Sequence, residues 1–152
     1  RAHIELARLL KLPLVIHDRQ AHAQTLAVLD ENDGWSLGGV MHCFSGDVSL
    51  ARIILDKGFY LSIPGVITYK NARDLVAVAA YAPAERLLIE TDAPYLSPQP
   101  YRGKPNEPAY MVETLACLAR IKEIDVDEMA AFTVQNFHRL FLKDRDESRR
   151  RG

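Results

Sequence analysis

The sequence predicts an α/β fold built on a parallel sheet. Three features predict it: short, wholly apolar segments of strand length, helical stretches that alternate with them, and turn or capping residues at the junctions. Strands that are apolar throughout, with no polar residue at every second position, are those of a sheet covered on both faces, and the intervening helices supply right-handed crossovers.

Each element follows from the local pattern. Ile4, Leu6, Ala7 and Leu10 follow helical spacing, and Leu12-Pro13 ends that first helix. Leu14-Val15-Ile16 is the first strand and stops at His17. Residues 20–31 are helical by composition, closed by the turn Asn32-Asp33-Gly34. Gly39-Val40-Met41 is the second strand, ending at His42. Asp47 caps the next helix, whose stripe is Val48, Ala51, Ile54 and Leu55, and Lys57-Gly58 supplies the cation and the left-handed residue of its end. Phe59 to Ile63 is the third strand, and residues 71–81 form a helix that Pro83 follows. Arg86 to Ile89 is the fourth strand, running into Glu90-Thr91-Asp92. Residues 93–108 hold five of the eight prolines and read as one long loop, a length that is usually functional. Helices over 109–122 and 127–142 complete the domain, the second capped by Asp125 with Glu128 three residues on, as in a capping box. The charged stretch from Asp144 to Gly152, ending Arg149-Arg150-Arg151, reads as a tail, leaving 1–143 as the folded unit.

Composition narrows the function. The 152 residues are 48% hydrophobic and 26% charged, the profile of a folded domain, with neither a repeat nor a low-complexity segment. Nineteen basic residues stand against twenty acidic ones, for a net charge of -1, so no global positive field draws the chain to nucleic acid or an anionic membrane. A polyanion would have to be held locally. The two cysteines, Cys43 and Cys117, lie far apart in apolar stretches, suggesting neither a disulfide framework nor a thiolate zinc site and pointing to the cytoplasm. No apolar run reaches the ~20 residues of a membrane span. The first residue is Arg1 and no Met precedes it, which gives the expectation that the chain starts partway through a longer one.

In open α/β sheets and barrels, ligands bind at the carboxyl ends of the strands. Three of the four strands run into His17, His42 and Asp92, so two imidazoles and a carboxylate gather on one rim. Imidazole and carboxylate together suit zinc, manganese or a similar divalent ion. One strand-terminal His is ordinarily a packing residue; two on adjacent strands, with an acid ending a third, are a partial ligand set. Glu90 lies two residues before Asp92 and shares its face in an extended strand, where it either orients a ligand or bound water or fills the interior.

The remaining candidates have plainer readings. His3, His22 and His138 fall on helices at surface or structural positions. Cys43 follows His42 directly and should point to the opposite side of the strand, which argues against a Cys-His nucleophilic pair, and Ser45 and Ser62 have no spaced base. Gly46 reads as a turn residue that lets backbone approach a ligand. Arg19, Arg102 and Lys104 could clamp a phosphate or be ordinary solvated charges.

Taken together, Val15-Ile16-His17-Asp18-Arg19-Gln20-Ala21, His42-Cys43-Phe44-Ser45-Gly46, Ile89-Glu90-Thr91-Asp92-Ala93-Pro94-Tyr95-Leu96 and Arg102-Gly103-Lys104-Pro105-Asn106-Glu107-Pro108 resemble, in order, the motifs of the TatD family of metal-dependent hydrolases. Asn136-Phe137-His138-Arg139-Leu140-Phe141 matches that family's final helix. The resemblance covers nearly the whole chain. It implies a TIM barrel of the amidohydrolase-like type and metal-dependent deoxyribonuclease activity, in some members 3'-5' exonuclease action on single-stranded DNA or RNA. Carried over, it makes His17, His42 and Asp92 metal ligands, with Glu90 beside them and catalysis assigned to Asp92 and Glu90. Arg19, Arg102 and Lys104 would position substrate phosphates, and two divalent ions (Mg, Mn or Zn) would occupy the complete site.

The family's His-x-His pair on strand one and its bridging Glu on strand four have no counterpart here. The resemblance therefore implies the C-terminal half of a barrel, strands five to eight, with about 100 residues absent by comparison with a typical barrel. Two alternatives stand beside the nuclease: an amidohydrolase acting on a small amide or ester, and an inactive half-barrel that self-associates through its open sheet edges.

Overall fold

The computed structural model describes residues 1–142, and the expected tail, 144–152, lies outside the described residues. The chain runs α1 (Ala2–Leu10), β1 (Leu14–His17), α2 (His22–Glu31), β2 (Gly39–His42), α3 (Val48–Asp56), β3 (Tyr60–Ile63), α4 (Arg73–Tyr81), β4 (Leu87–Ile89), α5 (Met111–Lys122) and α6 (Val126–Phe141). The four strands form one parallel sheet in the order β1-β2-β3-β4. Each crossover carries a helix, as the alternating pattern requires.

Alternation along the strands sorts side chains onto two faces. Leu14, Met41, Leu61, Ile63 and Leu87 face the helices and join the main core with Ala51, Ile54, Val78, Leu118 and Met129. The other face carries a smaller cluster, Val40, Tyr60 and Leu88, against which Leu140 and Phe141 at the end of α6 pack. Towards β1 that face is open, Val15 being 61% exposed; Leu6, Leu9 and Leu10 of α1 and Leu12 after it are also in solvent. Both β1 and β4 are edges of the sheet.

Close packing sets several residue choices. At Gly39 a Cβ would lie 2.6 Å from the carbonyl oxygen of Leu14 and 2.6 Å from the ring of Phe59, so the start of β2 admits no side chain. Asn136 of α6 is fully buried, and its Nδ2 donates to the carbonyls of Ala84 and Leu87, both at 2.8 Å, tying the helix to the entry of β4. Asp47 caps α3 by accepting from Leu50 N at 2.9 Å, and Gly58 (φ 84°) ends it in the left-handed region. Asp125 caps α6 through Asp127 N at 2.8 Å, the second amide of the helix, where the capping-box reading has the third.

Other boundaries shift for local reasons. The helix expected from residue 20 begins at His22, because Asp18 accepts from Ala21 N at 3.0 Å and Gln20 takes φ 58°. The helix expected from 71 begins at Arg73, preceded by a 3₁₀ turn over Gly65–Thr68. Another 3₁₀ turn over Gly34–Leu37 extends the expected Asn32-Asp33-Gly34 turn and seats Trp35 edge-on against Phe59. No helix among the described residues is long and apolar enough to cross a membrane.

Candidate metal centre and cleft

The site grows out of the sheet register. β1 and β2 pair from Leu14↔Gly39 to His17↔His42, so the two histidines are cross-strand neighbours on the face away from the main core. Their rings lie 5.8 Å apart, centroid to centroid. β4 then brings up the acids. Glu90 N donates to Ile63 O at 3.2 Å, which extends the ladder past Ile89. Asp92 has φ 53°, a left-handed conformation that Asp tolerates better than most residues.

His42 is flanked on its two nitrogens. Nδ1 is 2.9 Å from Glu90 Oε2, and Nε2 is 3.5 Å from Asp92 Oδ1. Glu90 Oε2 also accepts from Cys43 N at 2.9 Å, which locks the carboxylate in place. A carboxylate acting as acceptor places a proton on Nδ1, and in the neutral ring the Nε2 lone pair then faces the Asp92 carboxylate. A proton on Nε2 or a metal ion between the two groups resolves that opposition. The spacing suits a metal: two ligands each about 2.1 Å from a tetrahedral ion stand about 3.4 Å apart. Glu90 Oε1 is buried without a partner, a further polar atom to be satisfied at this centre.

The set is partial. Among the described residues no group of three or more His, Cys, Asp or Glu side chains encloses a metal. His42 and Asp92 converge, while His17 stands beside them and exposed at the edge strand. The donor chemistry thus fits a divalent ion, but as part of a coordination sphere.

In front of this centre lies a cleft of about 630 Å³, lined in part by His17, Asp18, Arg19, Cys43, Asp92 and Tyr95. His42 and Glu90 are not among its lining residues and reach it through Asp92 and Cys43. Pro64, Val66 and Leu75 form an apolar part of its wall. Of seven non-glycine residues with positive φ among the described residues, four (Gln20, Cys43, Asp92 and Leu96) fall in the loops that follow β1, β2 and β4. Such conformations cost about 1–3 kcal/mol each and concentrate at functional sites.

The structure revises three expectations. Cys43 does not point away from the site: its φ of 49° breaks the strand alternation and the residue lines the cleft. Burial, with Glu90 and Asp92 nearby, pushes its thiol up to about 12, so it is a protonated wall residue and no nucleophile at neutral pH. Gly46 lines the cleft, but its size answers to packing, since a Cβ there would meet Leu50 and Phe44. Arg19 is exposed and lines the cleft, whereas Arg102 and Lys104 are exposed but do not line it, Arg102 lying over the Tyr69 ring at 4.4 Å. His3 and His138 are exposed, and His22 has a structural partner, its Nδ1 lying 2.8 Å from Asp18 Oδ2, all within the surface or structural roles expected.

Two residues essential to the local architecture gave little sign in the sequence. Asp18 is buried and accepts from both Ala21 N and His22, fixing the turn that carries His17 and Arg19. Asn106 is buried in the long loop: its Nδ2 donates to Thr91 O and Tyr95 O, both at 2.7 Å, and its Oδ1 accepts from Glu107 N at 2.9 Å. Asx residues next to turns are the one available signal, and it is a weak one.

Comparison with known proteins bears on this arrangement. The family model described as TatD related DNase matches residues 1–142. The chain belongs to the TatD family. A relative from Escherichia coli K12, YcfH, described as an uncharacterized metal-dependent hydrolase, is 46% identical over 142 residues, covering 93% of this chain and 54% of its own length. YabD of Bacillus subtilis, described in the same words, is 43% identical over 141 residues, with 93% and 55% covered. The crystal structure of the E. coli TatD homologue YjjV superposes with a TM-score of 0.84 at 32% identity, covering 91% of this chain and 53% of that one. A TatD family hydrolase from Entamoeba histolytica shares the fold, with a TM-score of 0.83 at 24% identity, 93% and 55% being covered. This TatD chain thus spans about half the length of the relatives it matches.

Proposed function

We propose that this chain supplies the C-terminal half, strands five to eight, of a TatD-type barrel that hydrolyses phosphodiester bonds of DNA with divalent metal ions. The observation that carries the reading is His42 held between Glu90 and Asp92, one carboxylate at each ring nitrogen. His42, Asp92 and His17 would hold metal, two ions per complete site being expected, with Mg, Mn or Zn as candidates. The relatives' description as metal-dependent hydrolases supports metal use. The open edges at β1 and β4 and the exposed Leu9, Leu12 and Val15 support a further set of strands that closes the barrel and brings the remaining ligands.

A bound divalent ion supplies a water of lowered pKa and neutralises charge that develops on the phosphate. Glu90 keeps His42 in one tautomer and one orientation, and Cys43 N holds Glu90 in turn. Asp92, at the mouth of the cleft, takes the proton from the attacking water as the new oxygen–phosphorus bond forms and the ester bond to the leaving oxygen breaks. Arg19 in the cleft wall pairs with a phosphate oxygen. Single-stranded ends, attacked from the 3' side, are the proposed substrate.

The test is incubation of the full-length gene product with end-labelled single-stranded DNA and Mg²⁺ or Mn²⁺. Shortening of the strand that is lost on chelation, on His42→Ala and on Asp92→Asn is the expected result. No metal-dependent cleavage, or cleavage of a small amide or ester alone, overturns the reading. Stable dimers of the full-length product formed through β1 and β4 would favour the self-associating half-barrel instead.

A further inference from the structure

We infer that Asn106 is a positioning residue for Asp92, its buried amide holding the backbone turn that aims the Asp92 carboxylate at His42, an inference that rests on the reading of Asp92 as a metal ligand.

The sheet does not hold that turn by itself. The β4 ladder ends where Glu90 N donates to Ile63 O at 3.2 Å, and among the described residues no strand neighbour bonds the backbone beyond it. Asp92 then takes φ 53° and Leu96 φ 57°, two left-handed conformations within five residues. Conformations of this kind persist only where the surroundings over-determine them. The Asp92 side chain is 35% exposed and stands 3.5 Å from His42 Nε2, too loose a contact to fix the backbone that carries it.

Asn106 supplies the hold. Its Nδ2 donates to Thr91 O, just before Asp92, and to Tyr95 O, three residues after it, both at 2.7 Å. Its own N donates to Pro94 O at 2.9 Å, and Tyr95 N donates to Asp92 O at 2.9 Å, closing the turn on itself. Three carbonyls of the 91–95 segment are thus tied to one residue on the far arm of the loop. Oδ1 accepts from Glu107 N at 2.9 Å, so both ends of the amide are committed and its orientation is fixed. Two donations and one acceptance from so short a side chain require a carboxamide: a carboxylate has no donor and a hydroxyl has one. Asn106 is buried, so these bonds are made away from competing water.

A staple that served the loop alone would contribute to stability and leave the metal centre indifferent, and that difference can be measured. The experiment is calorimetric titration of the full-length gene product with Mn²⁺, without substrate, beside urea unfolding of the metal-free protein. Asp92→Asn should lower the Mn²⁺ affinity, because Asn tolerates the same left-handed backbone but gives up the charge. Asn106→Ala should lower it about tenfold or more, the loss usual for a group that orients a ligand. In the Asp92→Asn background the same substitution should hardly change the affinity, while still lowering the urea midpoint, since its effect on the metal passes through Asp92. Asn136→Leu removes a buried amide staple of α6 and should lower the urea midpoint with the Mn²⁺ affinity unchanged. Asn106→Ser, whose hydroxyl donates to one carbonyl at a time, takes the place of the alanine variant if that one does not fold, with a loss of affinity in the same direction expected. Full affinity in the Asn106 variant, an equal loss in Asn136→Leu, or additive losses in the double variant would overturn the inference while leaving Asp92 a ligand. Unchanged affinity in Asp92→Asn would overturn the ligand reading itself, and the inference with it.

Discussion

Nδ1 of His42 lies 2.9 Å from Oε2 of Glu90, and that hydrogen bond decides which imidazole nitrogen faces Asp92. Removing the acceptor frees the ring to rotate and to change tautomer. Glu90→Ala should therefore weaken divalent-metal affinity roughly 10- to 100-fold, the usual cost of losing such a support. Glu90→Gln, whose amide oxygen still accepts, should lose less. Calorimetric titration of the full-length product with Zn²⁺ or Mn²⁺ reads both, and equal affinity in all three proteins would refute the orienting role.

Asn106 staples the long loop through three side-chain hydrogen bonds. Asn106→Ala removes three hydrogen bonds of a buried side chain and leaves the carbonyls of Thr91 and Tyr95 without this donor, at a cost of about 2–3 kcal/mol. Urea unfolding should show that loss, and limited proteolysis should cut sooner within 93–107.

Asn136 does the same for the packing of α6. Asn136→Leu keeps the branched shape, with slightly larger bulk, but removes the donor to Ala84 O and Leu87 O in a fully buried place. A destabilisation of about 2–3 kcal/mol in chemical denaturation is expected. Because Leu140 and Phe141 cover Val40, Tyr60 and Leu88, the variant should also expose that face to a hydrophobic dye.

Gly39→Ala tests the close approach at the start of β2. Its Cβ meets backbone at Leu14 O, which cannot yield as a flexible side chain would. The cost should be about 1–3 kcal/mol in thermal or urea unfolding, and a neutral substitution would show that β2 can shift.

Asp30 predicts part of the acid limb of stability. Its hydrogen bonds from Lys57 Nζ (3.0 Å) and Trp35 Nε1 (2.8 Å) hold the carboxyl below its ordinary 3.8. A carboxyl depressed in the folded state stabilises fully above its unfolded value, and that contribution fades as pH falls through the folded one. The stability gap between the unaltered chain and Asp30→Asn should be constant near neutral pH and shrink below 3.8, as urea midpoints across that range would show. The group is exposed, so added salt should reduce the gap.

Much of this was legible in the chain. Apolar runs such as Leu14-Val15-Ile16 and the helical stripe of Val48, Ala51, Ile54 and Leu55 specify strand and helix, because period and burial are written into residue order. The strand-terminal positions of His17, His42 and Asp92 likewise placed them on one rim, since parallel strands end at one edge. Cys43 escaped that logic because alternation assumes extended backbone, and its φ of 49° depends on the turn and on its amide's bond to Glu90. Arg102 escaped it because sequence distance from a strand end says nothing about which side of a loop a long side chain takes; the Tyr69 ring settled that.

By itself, then, the sequence determined the alternating elements, the parallel sheet and the residue types at the strand ends, because these follow from local periodicity. Only the tertiary structure decided that Glu90 and Asp92 grip opposite nitrogens of His42, that Asn106 and Asn136 hold loop and helix, and that Arg102 and Lys104 do not line the cleft. Those relations join residues up to fifty-two positions apart, and hydrogen-bond geometry over such distances is set by packing, which no local pattern encodes.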